Sequence, residues 1–196
     1  MLGHQAKVLS QGALVRVLAR VRLHAYPRRD RVIVLLSLRA GLRAGEIAGL
    51  TWSMVLNDRG RVGEVINVRS SIAKKGSGRR VPIHLELKRA LSELKRHGLR
   101  SDCLPERPVI ISARGGPMRA NSIVNWFVAL YAELGLEGCS SHSGRRTFIT
   151  QAARQAHRAG ASLRDVQLLA GHRSIETTQT YIDGDTHAQR RLVNLI

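Results

Sequence analysis

Apolar residues along the first part of the chain recur at helical intervals. In residues 11–24 (QGALVRVLARVRLH) they fall at 14, 15, 17, 18 and 21 with basic residues on the other side, which predicts an amphipathic helix. After Pro27 a mostly apolar stretch reaches Ala40, so a buried helix is expected there, capped by Asp30 and ended by Gly41. A shorter helix over Ala44 to Leu50 begins from the turn Gly41-Leu42-Arg43. Between Val62 and Ile83 the character changes. Val65, Ile66, Val68, Ile72, Val81 and Ile83 flank the turn-rich Lys75-Gly76-Ser77-Gly78, which reads as a small antiparallel sheet with a hairpin at its tip. Helices are predicted again over 86–97, 120–134, 142–158, 163–170 and 175–182, with Ser162 and Asp165 as a capping-box variant and Gly171 as a helix stop. Segments 98–119 and 135–141, rich in Gly, Pro and Ser, read as loops. The expected fold class is α+β, mainly helical with one small antiparallel sheet, in a single domain over 1–196.

Composition narrows what such a domain does. With 43% hydrophobic residues over 196 positions the chain can bury a core without disulfides. Cys103 and Cys139 lie far apart and lack zinc-site spacing, so they read as buried free thiols in a reducing setting. No signal peptide is read at the start, and the longest apolar run, Val32 to Leu38, falls far short of the roughly 20 residues of a membrane span. A soluble, cytoplasmic protein is expected. The charge decides the partner class: 32 Lys+Arg against 14 Asp+Glu gives +18, with basic residues spread from Arg16 to Arg191. Such spreading suggests a polyanion-binding face built into the fold, not a basic tail. The 27 arginines against 5 lysines point to a general arginine bias as well, but this does not explain the scarcity of acids. Nucleic acid is the expected partner class.

Six polar positions stand out once the helices are laid down: Arg43, Lys74, His142, Arg145, His172 and Tyr181. Singly, each has an ordinary explanation. Arg43 could face solvent or pair with Glu46, and a lone tyrosine at 181 is usually core or rim. Arg43, however, sits at a rigid corner between two helices, from which a guanidinium can grip phosphate while Glu46 fixes its plane. His142 and Arg145 are three apart at a helix start and share one face. His172 lies just past the Gly171 stop, and Tyr181 is expected on the next helix, beside Thr177, Thr178 and Thr180.

Taken together, in order and at their spacings, these segments resemble the tyrosine recombinases of the phage integrase type. GLRAGEIAGL is similar to the family's first-arginine motif, SHSGRRTFIT to its HxxR motif, and LRDVQLLAGHRSIETTQTY to its histidine and nucleophile motif, with nine residues from His172 to Tyr181. The hairpin KKGSGRRVPI resembles the family's lysine-bearing turn, and counting back eight residues from Pro82 gives Lys74. The resemblance covers roughly residues 10–190 and implies the recombinase catalytic-domain fold.

It also implies an enzyme that cleaves and rejoins DNA site-specifically through a 3′-phosphotyrosyl intermediate, without metal or other cofactor. Tyr181 would attack the phosphorus, Arg43 and Arg145 would clamp the non-bridging oxygens, and His172 would assist as a hydrogen-bond donor. His142 would act as base toward the tyrosine proton, and Lys74 would protonate the 5′ oxygen. The implied partner is double-stranded DNA, with a nucleoid-associated location, and the implied assembly is a homotetramer on it, with the segment after Tyr181 available to dock on a neighbour. Three departures are visible. Arg146 stands where histidine is frequent, Met54 where an acid is frequent, and Gly144 replaces a larger apolar residue at a cost of about 1 kcal/mol relative to alanine within a helix. An amino-terminal core-binding domain that clamps the far side of the DNA is expected to be absent, so a separate clamp or accessory protein is a possible partner. The alternative is a truncated, non-autonomous DNA-binding relic or regulator of a full-length integrase. A type IB topoisomerase uses a similar constellation, but its motifs fit less well.

Overall fold

A computed structural model describes residues 6–73, 76–181 and 193–194. The helices are α1 (Gln11–Val21), α2 (Pro27–Arg39), α3 (Ala44–Gly49), α4 (Leu85–His97), α5 (Ala120–Glu133), α6 (Ser143–Gln155), α7 (Leu163–Ala170) and α8 (Ile175–Gln179). The sheet is β1 (Val65–Val68) paired antiparallel with β2 (Arg79–Pro82), Ile66 opposite Val81. Lys74 and Lys75, at the expected hairpin tip, lie outside the described residues, as does most of the segment after Tyr181.

The central element is α2, because the run Val32–Leu38 leaves it no polar face: all seven residues are buried. A helix apolar all round must be covered on every side, and α1, α3, α4 and α6 pack against it. Each fully buried aliphatic side chain there contributes about 1.5–3 kcal/mol. The α2–α6 crossing is close. A Cβ on Gly144 would sit 2.3 Å from Ser37 Oγ and 2.9 Å from Ser37 Cβ, so the helix-weakening glycine is required by packing. Among the described residues no helix is long and apolar enough to cross a membrane.

Several local expectations are corrected. Asp30 does not cap α2; the helix starts at Pro27, a residue suited to the first helical position. Asp30 lies in the first turn, buried, where its Oδ2 meets His24 Nδ1 at 2.7 Å and its Oδ1 accepts from Arg29 Nε at 2.8 Å. Ile72 belongs to no strand; it lies in a turn and fills the space above Gly49, where a Cβ would approach its Cγ2 to 2.7 Å. α6 stops at Gln155, followed by a 3-10 turn at His157–Ala159 that Gly160 closes at φ +66°. The 98–119 loop contains a 3-10 turn at Arg100–Cys103 and single bridges Thr51–Pro108 and Ile111–Pro117. Cys103 and Cys139 are half-buried, not buried.

Candidate active site

The first wall of the site is built where α2 ends. Gly41 takes φ +61° against the Phe148 ring, which a Cβ would approach to 2.4 Å, and the chain turns so that Arg43 becomes the N-cap of α3. Glu46, one turn later, accepts from the Arg43 backbone N–H at 2.9 Å and from its Nη1 at 3.0 Å. Glu46 is 1% exposed, and its second cation is Arg79 on β2, which donates Nη1 to Oε1 at 2.8 Å and Nη2 to Oε2 at 2.9 Å. Burial alone would raise the Glu46 pKa, but Arg79 and Arg43 reverse this and hold it at about 2.

Arg145 forms the floor. At 4% exposure it donates Nη1 to Gly41 O at 2.5 Å, and Nη2 to Ala170 O at 2.6 Å and to His172 Nε2 at 3.1 Å. One side chain thereby ties the end of α2 to the end of α7. Burial, then the neighbouring Arg43 and Arg79, bring its pKa down to about 10, so it stays charged at neutral pH.

The opposite wall comes from α7 and α8. Asp165 accepts from the Ser162 backbone N–H at 2.8 Å, the expected capping box, and Gly171 ends α7 at φ +64°. His172 follows. A guanidinium has no acceptor, so Nε2 of His172 must accept from Arg145; the ring proton is then on Nδ1, which donates to Thr178 Oγ1 at 3.0 Å. Burial, then Arg145, Arg43 and Arg79, push its pKa down to about 4. His172 is therefore neutral in this arrangement, and its Nε2 accepts where the sequence reading expected a donor.

Tyr181 lies just beyond α8, not on it, in a turn closed by its N–H to Thr178 O at 3.1 Å. Its ring stacks on His172 with centroids 5.5 Å apart, and the Arg146 guanidinium sits 5.6 Å from its centroid. The other tyrosines are placed elsewhere: Tyr131 is buried in the core with its pKa raised by that burial, and Tyr26 lies under Arg29.

Arg43, His142, Arg145, His172 and Tyr181 line one open cleft of about 370 Å³, with His142 exposed at its rim and Arg145 at its base. Five of the six residues singled out in the sequence are thus brought together, while Lys74 lies outside the described residues. Three contributors were missed: Arg79, Arg146, and the role of Thr178 in fixing the His172 tautomer. Arg79 had a signal, since on a strand it shares a face with buried Val81, an unusual place for an arginine.

Comparisons with known proteins bear on the family and the fold. The family model described as "Phage integrase family" matches residues 7–187. Tyrosine recombinase XerC of Myxococcus xanthus is 33% identical over 160 residues, covering 78% of this chain and 49% of that protein. XerC of Xylella fastidiosa strain 9a5c is 33% identical over 155 residues, 78% of this chain and 48% of the relative. The chain spans about half the length of these relatives. Among solved structures, the Tn1549 transposon integrase in complex with a circular intermediate DNA superposes with TM-score 0.77 at 18% identity, over 100% of this chain and 67% of that one. The XerA recombinase superposes with TM-score 0.71 at 24% identity, over 100% and 65%. The recombinase catalytic-domain fold is thus shared, and with the family model matched over nearly its whole length the chain belongs to the phage integrase family.

Proposed function

We propose that this protein is a site-specific DNA recombinase that cleaves and rejoins a strand through a covalent bond between Tyr181 and a 3′ phosphate. The observation that carries the reading is one cleft in which a tyrosine stands beside three arginines and two histidines. A phosphodiester under attack gains negative charge on its non-bridging oxygens, and fixed cations lower the barrier most when they need no rearrangement. Arg145 has three of its five N–H groups engaged by protein partners, which leaves donors for those oxygens. Arg43 is the second clamp.

The Tyr181 oxygen attacks phosphorus, the bond to the 5′ oxygen breaks, and that oxygen leaves as a hydroxyl. His142 at the rim accepts the tyrosine proton, and Lys74 supplies the proton to the 5′ oxygen. An arriving phosphate oxygen adds negative charge beside His172 and favours its protonation, turning Nε2 into a donor. The phosphotyrosine retains the energy of the broken bond, so rejoining needs no nucleotide. The cationic residues supply the charge that a metal provides elsewhere, and the reaction is expected to run in excess EDTA. Assembly as a tetramer on two duplexes belongs to the same proposal. Support for a DNA substrate comes from the +18 charge and from relatives solved in complex with DNA. Retention of the full set of cleft residues favours turnover over mere occupancy of DNA.

The test is a nicked duplex carrying flanking sequence from the protein's own locus. Wild type should form a covalent protein–DNA adduct. Tyr181→Phe should form none while binding DNA with nearly unchanged affinity, because only the attacking oxygen is lost. An adduct that persists in Tyr181→Phe would overturn the assignment.

A further inference from the structure

We propose that Arg79 is a positioning residue of this site: it compensates the charge of Glu46, so that Arg43 keeps its own for the phosphate, and it seats the end of α7 that presents His172. This deepens the strand-transfer reading and rests on it.

Arg79 does not line the cleft and its side chain is only 5% exposed, so any influence on the reaction is indirect. Glu46 is ionised and buried, and a buried charge needs a partner. Were Arg43 the only one, the pair would be neutral, and an incoming phosphate would compete with a desolvated carboxylate for the same guanidinium. Arg79 changes this balance. Its two-pronged contact engages both carboxylate oxygens, leaving Arg43 bound through a single guanidinium nitrogen and its backbone N–H. Arg43, Glu46 and Arg79 together carry one net positive charge, and Arg43, 22% exposed, is the member facing the cleft.

The third prong of Arg79 points the other way. Its Nε donates to Leu169 O at 2.9 Å, in the last turn of α7. Gly171 lies directly against the side chain, where a Cβ would come within 2.9 Å of Arg79 Cδ. The residue before His172 is therefore seated on Arg79. One planar fork links α3, β2 and α7, and a lysine, with a single nitrogen, cannot make these contacts at once. The groups facing His172 are Arg145, Thr178 and the Tyr181 ring, with Arg43 and Arg79 acting on it at longer range.

The experiment compares full-length wild type, R79K, R79Q, E46Q and R79Q/E46Q in single-turnover adduct formation on the nicked duplex, alongside duplex affinity. R79Q should slow adduct formation about a hundredfold with affinity changed by less than about threefold, and R79K should not restore the rate. In R79Q/E46Q, with the uncompensated carboxylate gone, the rate should exceed that of R79Q. R79Q at the wild-type rate, or effects of R79Q and E46Q that simply multiply, overturns the proposal. Should R79Q fail to fold, R79K and the double variant, which removes both charges, decide the same question. If wild type forms no adduct, the strand-transfer reading itself fails, and Arg79 is judged by ring-proton NMR of His172 in the DNA-free protein. There R79Q should raise the titration midpoint by about half a pH unit or more, and an unmoved midpoint overturns the inference.

Discussion

The two walls of the cleft are held by different means. Arg43 follows directly on the main core, behind buried Leu42, and is fixed through Glu46 and Arg79. His172 and Tyr181 belong to the α7–α8 side, which packs on a small cluster of Ile149, Val166 and Ala170 that Tyr181 only partly joins. Among the described residues, the Tyr181 backbone is held by the turn N–H to Thr178 O and by a long 3.4 Å contact from Thr150 Oγ1 to its carbonyl. Arg145 joins the walls, with one nitrogen on Gly41 O and the other on Ala170 O. The charges proposed to meet the phosphate are thus preorganised. The proposed nucleophile, Tyr181, rides on this smaller unit, the part of a structure that opens at lower cost.

The strongest way to break this comparison is at the joint. Arg145→Ala removes a proposed phosphate clamp and leaves two carbonyls without their donor; adduct formation should fall about a thousandfold. Stability to urea should drop by about 3 kcal/mol. A loss of activity without a loss of stability would show that Arg145 does not tie the walls.

Acid should separate them next. Glu46 has its pKa lowered from 4.5 to about 2, so its contribution is complete above about 4.5 and is lost as pH falls toward about 2. For so buried a group this amounts to about 2–3 kcal/mol. His172, lowered from 6.5 to about 4, binds its proton more readily when unfolded, so stability also declines as pH falls from about 6.5 to about 4. Urea midpoints from pH 7 to pH 2.5 should therefore fall in two stages. Glu46→Gln should remove the lower stage and His172→Gln the upper.

Gly144→Ala tests the packing beneath the first wall. The alanine favours the helix by about 1 kcal/mol but forces its methyl into Ser37. A net destabilisation of about 1–2 kcal/mol is expected in thermal unfolding, and a stabilised variant would show that α2 and α6 are less closely packed. The smallest effect on stability belongs to Tyr181, the proposed nucleophile. Tyr181→Phe keeps the ring that stacks on His172, so stability should change by no more than about 0.5 kcal/mol.

Much of this architecture was legible because it is local. Helical periods, the Gly171 stop and the Ser162–Asp165 cap are read from neighbours in sequence, and the structure has them where expected. What was not legible depends on tertiary partners. Asp30 looked like a cap because aspartate favours caps, yet it is drawn to His24 and Arg29. Gly144 looked like a defect until Ser37 was seen against it. Arg79 read as one more basic residue of a hairpin, since only the fold brings Glu46 and Leu169 to it. His172 was expected to donate; the Arg145 contact that sets its tautomer spans 27 positions in the chain.

The most direct test of the account is to identify the amino acid that carries the DNA. Wild type incubated with the nicked duplex in excess EDTA, then digested and sequenced by mass spectrometry, should yield a single peptide with the 3′-phosphoryl end on Tyr181. An adduct on Tyr26 or Tyr131, or one that forms only when a divalent metal is supplied, would contradict it.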